Sequence, residues 1–142
     1  MNQLPQRLSI VAEFRKARPY ILKITKSNSM SRPLTAEEYK LAKWLLEHGK
    51  PEGLDYLPQL ERARASSWKC ECGCASFDFE IDGSPARTGA MNILADFQIK
   101  EGDFVGGVYI WEQNKFLRGV EVSGYSGDAP KQLPSAEGLV PI

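Results

Sequence analysis

Three cysteines fall within five positions, Cys70-Glu-Cys72-Gly-Cys74, and the chain has no others. Thiolates are ligands that zinc and other soft ions prefer, and three of them would fill all but one corner of a tetrahedral site. His48, the single histidine, is the one imidazole available as a fourth ligand. Zinc modules, however, usually present two pairs of ligands with roughly two to four residues inside each pair. No second cysteine pair exists here, and a reduced cysteine packs as a small hydrophobe. The spacing therefore predicts that Cys70 and Cys74 flank a glycine-containing hairpin turn, with all three thiols reduced and metal-free. No cofactor is expected.

The second group that can do chemistry is acidic. Phe77, Phe79 and Ile81 alternate with Asp78, Glu80 and Asp82, and Met91, Ile93, Ala95, Phe97 and Ile99 alternate with Asn92, Asp96 and Gln98. A period of two is the mark of a strand with one buried and one wet face. If the phenylalanines point inward, Asp78 and Glu80 point outward, and Asp96 and Glu121 extend one negative face across neighbouring strands. Such a face disfavours nucleic acid and attracts a basic protein. Paired carboxylates can also serve acid–base catalysis, but nothing in the sequence supplies a substrate pocket beside them.

Other catalytic schemes lack their residues. The chain contains no G-x-S-x-G, no glycine-rich loop ending in Lys-Ser or Lys-Thr, and no H-E-x-x-H. His48 is placed to terminate a helix, where the macrodipole favours its cation. Ser123-Gly-Tyr-Ser-Gly127 reads as a strand end and a turn. No enzymatic activity is expected.

The elements that must position these residues are partly written in local signals. Thr35-Ala-Glu-Glu38 is a capping box, and Gly49 before Pro51 is a stop signal, so a helix is expected over 36–48 with Gly49 as its left-handed terminator. Residues 53–57 suggest one helical turn that Pro58 interrupts. Strands are expected over 63–69, 75–82, 91–99, 104–111 and 116–125, joined by turns at Glu71-Cys72-Gly73, Glu101-Gly-Asp103 and Gln113-Asn114. The fold class is thus α+β, with N-terminal helices packed on a five-stranded antiparallel meander. Residues 126–142, with three prolines, should run along the surface as a tail.

Length and charge bound the rest. The chain has 142 residues, 42% of them apolar and 25% charged, the size and composition of one soluble domain with a core of its own. Eighteen acidic and eighteen basic residues cancel overall. They are not evenly spread: residues 1–30 carry six bases and one acid, whereas residues 76–142 carry ten acids and five bases. A basic amphipathic helix is expected over 5–18 and a short β-prone run over 20–25, within a basic N-terminal extension of residues 1–29. Residues 30–142 are then a single α+β domain. No apolar run reaches the roughly 20 residues of a membrane span, and no secretory signal is evident, so a cytoplasmic protein is expected.

From Arg32 onward the chain resembles a group of small, largely uncharacterised bacterial proteins. The resemblance is carried by R-P-L-T-A-E-E at 32–38, W-L-L-E-H-G at 44–49, L-P-Q-L-E-R-A at 57–63, C-x-C-G-C-A-S at 70–76 and G-V-E-V-S-G-Y at 119–125. These proteins are similar to those of polymorphic-toxin and contact-dependent inhibition loci, where small α+β immunity proteins each bind one toxin domain. The resemblance implies a non-enzymatic protein-binding module that acts by occlusion, with Asp78, Glu80, Asp96 and Glu121 facing a basic toxin domain. The alternative is a small zinc-binding module built on Cys70, Cys72 and Cys74 that contacts nucleic acid through its basic N-terminus.

Overall fold

A computed structural model describes residues 30–83 and 89–142. The expected extension, with its helix over 5–18, lies outside the described residues. In chain order the elements are β1 (Arg32–Pro33), α1 (Ala36–His48), a 3-10 helix (Pro51–Tyr56), α2 (Leu57–Glu61) and β2 (Arg64–Ala65). These are followed by β3 (Phe77–Glu80), β4 (Met91–Glu101), β5 (Phe104–Gln113) and β6 (Phe116–Gly124), then a 3-10 turn (Ala136–Gly138) and β7 (Leu139–Pro141).

Helix α1 occupies the expected span, Ala36–His48, and its N-terminus carries the expected local signal. The Thr35 hydroxyl accepts from the Glu38 amide at 3.0 Å, and Glu38 Oε1 accepts from the Thr35 amide at 2.8 Å. Leu41, Ala42, Leu45 and Leu46 form the buried stripe of the helix. The other end departs from expectation. Gly49 has φ −95°, so it is not a left-handed terminator. Glycine is required there for close approach: a Cβ would lie 2.4 Å from both the Leu94 carbonyl oxygen and the Ala95 Cβ on β4. Pro58 likewise does not interrupt a helical turn but opens α2, in the first-turn position where the missing N–H costs nothing.

The helix N-terminus is also held by charge. Arg32 on β1 grips Glu38 with two hydrogen bonds of 2.9 and 2.8 Å. Burial pushes the Glu38 carboxyl up, but the bonds from Arg32 and Thr35 outweigh it and hold the pKa below the usual glutamate value. The unfolded chain therefore binds this proton at a higher pH than the folded one does. The resulting stability is fully present above the ordinary value of about 4.3 and fades as pH falls through the lower folded value. Glu38→Gln is expected to cost about 1–3 kcal/mol at neutral pH and to flatten that acid limb, read as urea midpoints between pH 6 and 3. A variant whose acid limb matches the parent's would remove Glu38 from this role.

The α+β class and the antiparallel sheet are as expected, but the sheet has seven strands among the described residues, in the order β1-β2-β3-β6-β5-β4-β7. It is not a five-stranded meander. β4, β5 and β6 follow one another as hairpins, with loops at Gly102-Asp103 and Asn114-Lys115. Both Asn114 and Lys115 have positive φ, which the right-handed strand twist favours in two-residue turns. β3 then pairs with β6 rather than with its sequence neighbour β4. The expected strand over 63–69 shrinks to the two residues of β2, which pairs with β3. The expected surface tail also contributes a strand, β7, which covers the β4 edge with Leu139 buried. No helix among the described residues is long and apolar enough to cross a membrane.

One sheet face makes the core. Phe77, Phe79, Ile81, Phe97, Val108, Ile110, Val120 and Val122 meet the apolar stripe of α1 together with Tyr56 and Leu60. The opposite face carries the polar side chains of the same strands.

Candidate functional site

Strand register decides which polar residues gather on the face away from the helices. Asp96 on β4 is opposite Tyr109 on β5, and Tyr109 is opposite Glu121 on β6. The three side chains form one row across the sheet, with the phenol between two carboxylates. Burial, then the charges of Glu121 and Asp96, raise the Tyr109 pKa, so both carboxylates act on its hydroxyl. Asp96 is exposed as a residue, yet partial burial of its carboxyl raises its pKa too. The next row holds Gln98, Gly107 and Ser123, and the Tyr125 ring leans over Gly107, where a Cβ would lie 2.8 Å from its hydroxyl oxygen. Tyr125 is 54% exposed. The face therefore combines two carboxylates, two phenols and small polar groups.

The other two expected residues are placed differently. Asp78 shares this face by register, opposite Gly119, but it is only 4% exposed. Because Gly119 has no side chain, Asp78 Oδ1 and Trp111 Nε1 close over it, 2.7 and 3.1 Å from where a Cβ would stand. The expectation that Asp78 points into solvent is thus corrected. Glu80 is half-buried and sits opposite Arg64 of β2, so its charge faces a base. It also lies four residues along the strand from the row of Glu121, roughly 13 Å away. The single negative face expected over Asp78, Glu80, Asp96 and Glu121 is therefore reduced to Asp96 and Glu121 with Tyr109.

The cysteine cluster lies in the loop between β2 and β3. A turn closes it, with the Gly73 amide donating to the Cys70 carbonyl at 3.0 Å and Gly73 at φ +82°, a conformation glycine adopts without strain. The turn expected at residues 71–73 is present. The three Sγ atoms lie within 4.8 Å of one another, and Cys70 Sγ is 3.1 Å from Cys72 Sγ. The Cys74 amide points at Cys72 Sγ at 3.3 Å. Cys72 is exposed and Cys70 and Cys74 are half-buried. Of the three, only Cys74 packs against the apolar core, so the reading of these residues as hydrophobes fits Cys74 alone. Their acidities diverge. The bond to Cys72 pushes Cys70 up to about 11, whereas burial raises Cys74 less than the Ser76 hydroxyl and amide, together with Cys72 and Cys70, lower it.

His48 is not in this group. Its ring stacks on Trp44 at 4.2 Å, and its Nδ1 lies 2.8 Å from the Trp44 carbonyl oxygen in the last turn of α1. A groove of about 640 Å³ runs between α1 and residues 133–137, lined by Lys40, Trp44, Glu47 and Leu133 among others. Its lining carries charges of both signs, from Glu37, Glu47 and Glu137 and from Lys40 and Lys43.

Tyr109, Tyr125 and Lys131 are the residues here that the sequence did not assign to a site. Tyr125 follows the outward parity of β6, while Lys131 reaches the cysteine loop only through the path of the tail and leaves no local signal. Comparison of the chain with protein families, curated proteins and solved structures finds no match, so the reading of both places rests on their own geometry.

Proposed function

We propose that the chain is a non-enzymatic protein-binding module whose open sheet face seats a basic protein surface, in the manner of an immunity protein that occludes a toxin domain. The observation that carries this reading is the row Asp96–Tyr109–Glu121, extended by Tyr125. Carboxylates steer a basic partner and reject acidic ones. Tyrosines give contact area at low entropic cost, and their ring faces attract arginine and lysine. The strands hold Asp96, Tyr109 and Glu121 on a rigid sheet, and Tyr125, directly after β6, is tied to it by its amide, which donates to the Val105 carbonyl, so little ordering is needed on binding. The motifs quoted between residues 32 and 125 support the same reading through their resemblance to immunity proteins. Occlusion requires no reacting group. The basic segment on which the nucleic-acid alternative depends lies outside the described residues.

The test uses basic, nuclease-like toxin domains as probes. Replacing Asp96 and Glu121 together by lysine is expected to slow association about 10-fold or more at low salt, with the gap narrowing as salt rises. Tyr109→Ala should act mainly on dissociation, by about 10-fold. Association and dissociation rates that match the parent's at both salt levels would remove this face from binding.

A further inference from the structure

We propose that Cys70, Cys72 and Cys74 form a binding site for one thiophilic ion with a filled d shell, either Zn(II) completed by water or Cu(I) held by sulfur alone. This goes beyond the protein-binding reading and does not depend on it. Three sulfurs around one ion at about 2.3 Å must stand about 3.7–4.0 Å apart. The Sγ atoms already lie 3.1 to 4.8 Å from one another, so shifts of under about 1 Å bring them into place.

Two further features fit a thiolate site better than a packing role. The cluster is open to solvent at Cys72, which gives an ion an entry path, and a residue retained for packing would be covered. Its charge is also provided for. The Cys74 amide points at Cys72 Sγ at 3.3 Å, and the Lys131 ammonium donates to the Cys72 carbonyl at 3.3 Å. The tail that carries Lys131 is tied to the loop by the Ala75 amide, which donates to the Pro130 carbonyl at 2.9 Å. An amide dipole and a cation beside three thiolates offset the negative charge that the sulfurs bring.

The missing second ligand pair argues against a closed structural zinc site, and the structure agrees. Ser76 Oγ lies 3.3 Å from Cys74 Sγ, but it already accepts from the Val122 amide at 2.9 Å and is buried. It is not free to turn toward an ion. Among the described residues the site thus offers three ligands, and the remaining position belongs to solvent for Zn(II) or stays empty for Cu(I). Soft sulfur donors without imidazole or carboxylate favour these ions over magnesium, calcium or manganese.

The experiment is anaerobic titration of the reduced, full-length protein with Zn(II) and with Cu(I), each against a chromophoric chelator. Co(II) serves as a spectroscopic stand-in for zinc. One equivalent should bind, with a thiolate-to-cobalt charge-transfer band. The preferred ion is the one that competes better with its chelator. Losing an outer hydrogen bond already costs about 10–100-fold in metal affinity. Cys72→Ser and Cys70→Ser, whose side chains lie outside the core, are therefore each expected to weaken binding at least about 100-fold. Lys131→Gln is expected to weaken it about 10-fold, and His48→Ala should leave it unchanged. The proposal is overturned by binding that survives Cys70→Ser and Cys72→Ser, or by a folded parent that takes up neither ion against its chelator.

Discussion

Replacing Phe79 by alanine is expected to destabilise the protein by roughly 3–5 kcal/mol. The ring is 2% exposed and stands edge-on to Phe77, with centroids 5.3 Å apart at 75°. Its strand lies between β2, where Ala65 is its register partner, and β6, so the cavity left by truncation has sheet on both sides and little means of collapse. A domain of this size is usually stable by about 5–15 kcal/mol, so the variant loses a large share of the total. The check is the urea midpoint with the slope unchanged, which separates lost stability from an altered denatured state. Phe77→Ala combined with Phe79→Ala should cost less than the sum of the two, since the rings touch and share one cavity. A loss below about 1 kcal/mol for Phe79→Ala alone would place the ring outside the core.

What could be read from the sequence divides along the range of the forces involved. The start of helix α1 was legible because a capping box acts within a few residues; Gly49 marked its end, but for a close approach to β4 that no local signal shows. The inner and outer faces of β3, and of β4 from Ala95 to Ile99, were legible because alternation is a local pattern; before Ala95 the expected alternation is corrected, since the register shifts between Ile93 and Ala95, Leu94 is buried and Met91 is exposed. Neighbour order was not. Nothing in residues 77–80 says that they pair with residues 119–120 rather than with β4, since pairing is decided by contacts far apart in the chain. β1, β2 and β7 have two or three residues each, too few to show a period. The row at Tyr109 was hidden by an irregularity: the register shifts between Trp111 and Glu112. Counted straight back from the Asn114-Lys115 turn, Tyr109 would fall opposite Val120, a core residue. The shift moves it by one position to Glu121. For the cysteines, spacing alone favoured packing, and only the folded loop shows three sulfurs side by side with a lysine from the tail.

The same distinction between parity and burial gives the other large effect. Asp78→Lys is expected to cost on the order of 3 kcal/mol or more, whereas Asp96→Lys should stay within about 0.5 kcal/mol. By alternation the two aspartates are equivalent, both on the polar side of a strand. The sheet makes them different. Asp96 is exposed, so a lysine there stays in water and loses nothing. Asp78 is covered where Trp111 and the bare backbone of Gly119 meet it. A lysine in its place must hold a longer chain and the opposite charge in a space shaped for two oxygens, or drive the Trp111 indole off the sheet. Asp78→Asn keeps the shape and removes the charge, so its cost should lie between the two and apportion the effect between sterics and electrostatics. Urea midpoints for the three variants decide the matter. If Asp78→Lys proved as mild as Asp96→Lys, the side chain would be open to solvent, and Asp78 would rejoin Asp96 and Glu121 as a candidate for the binding face.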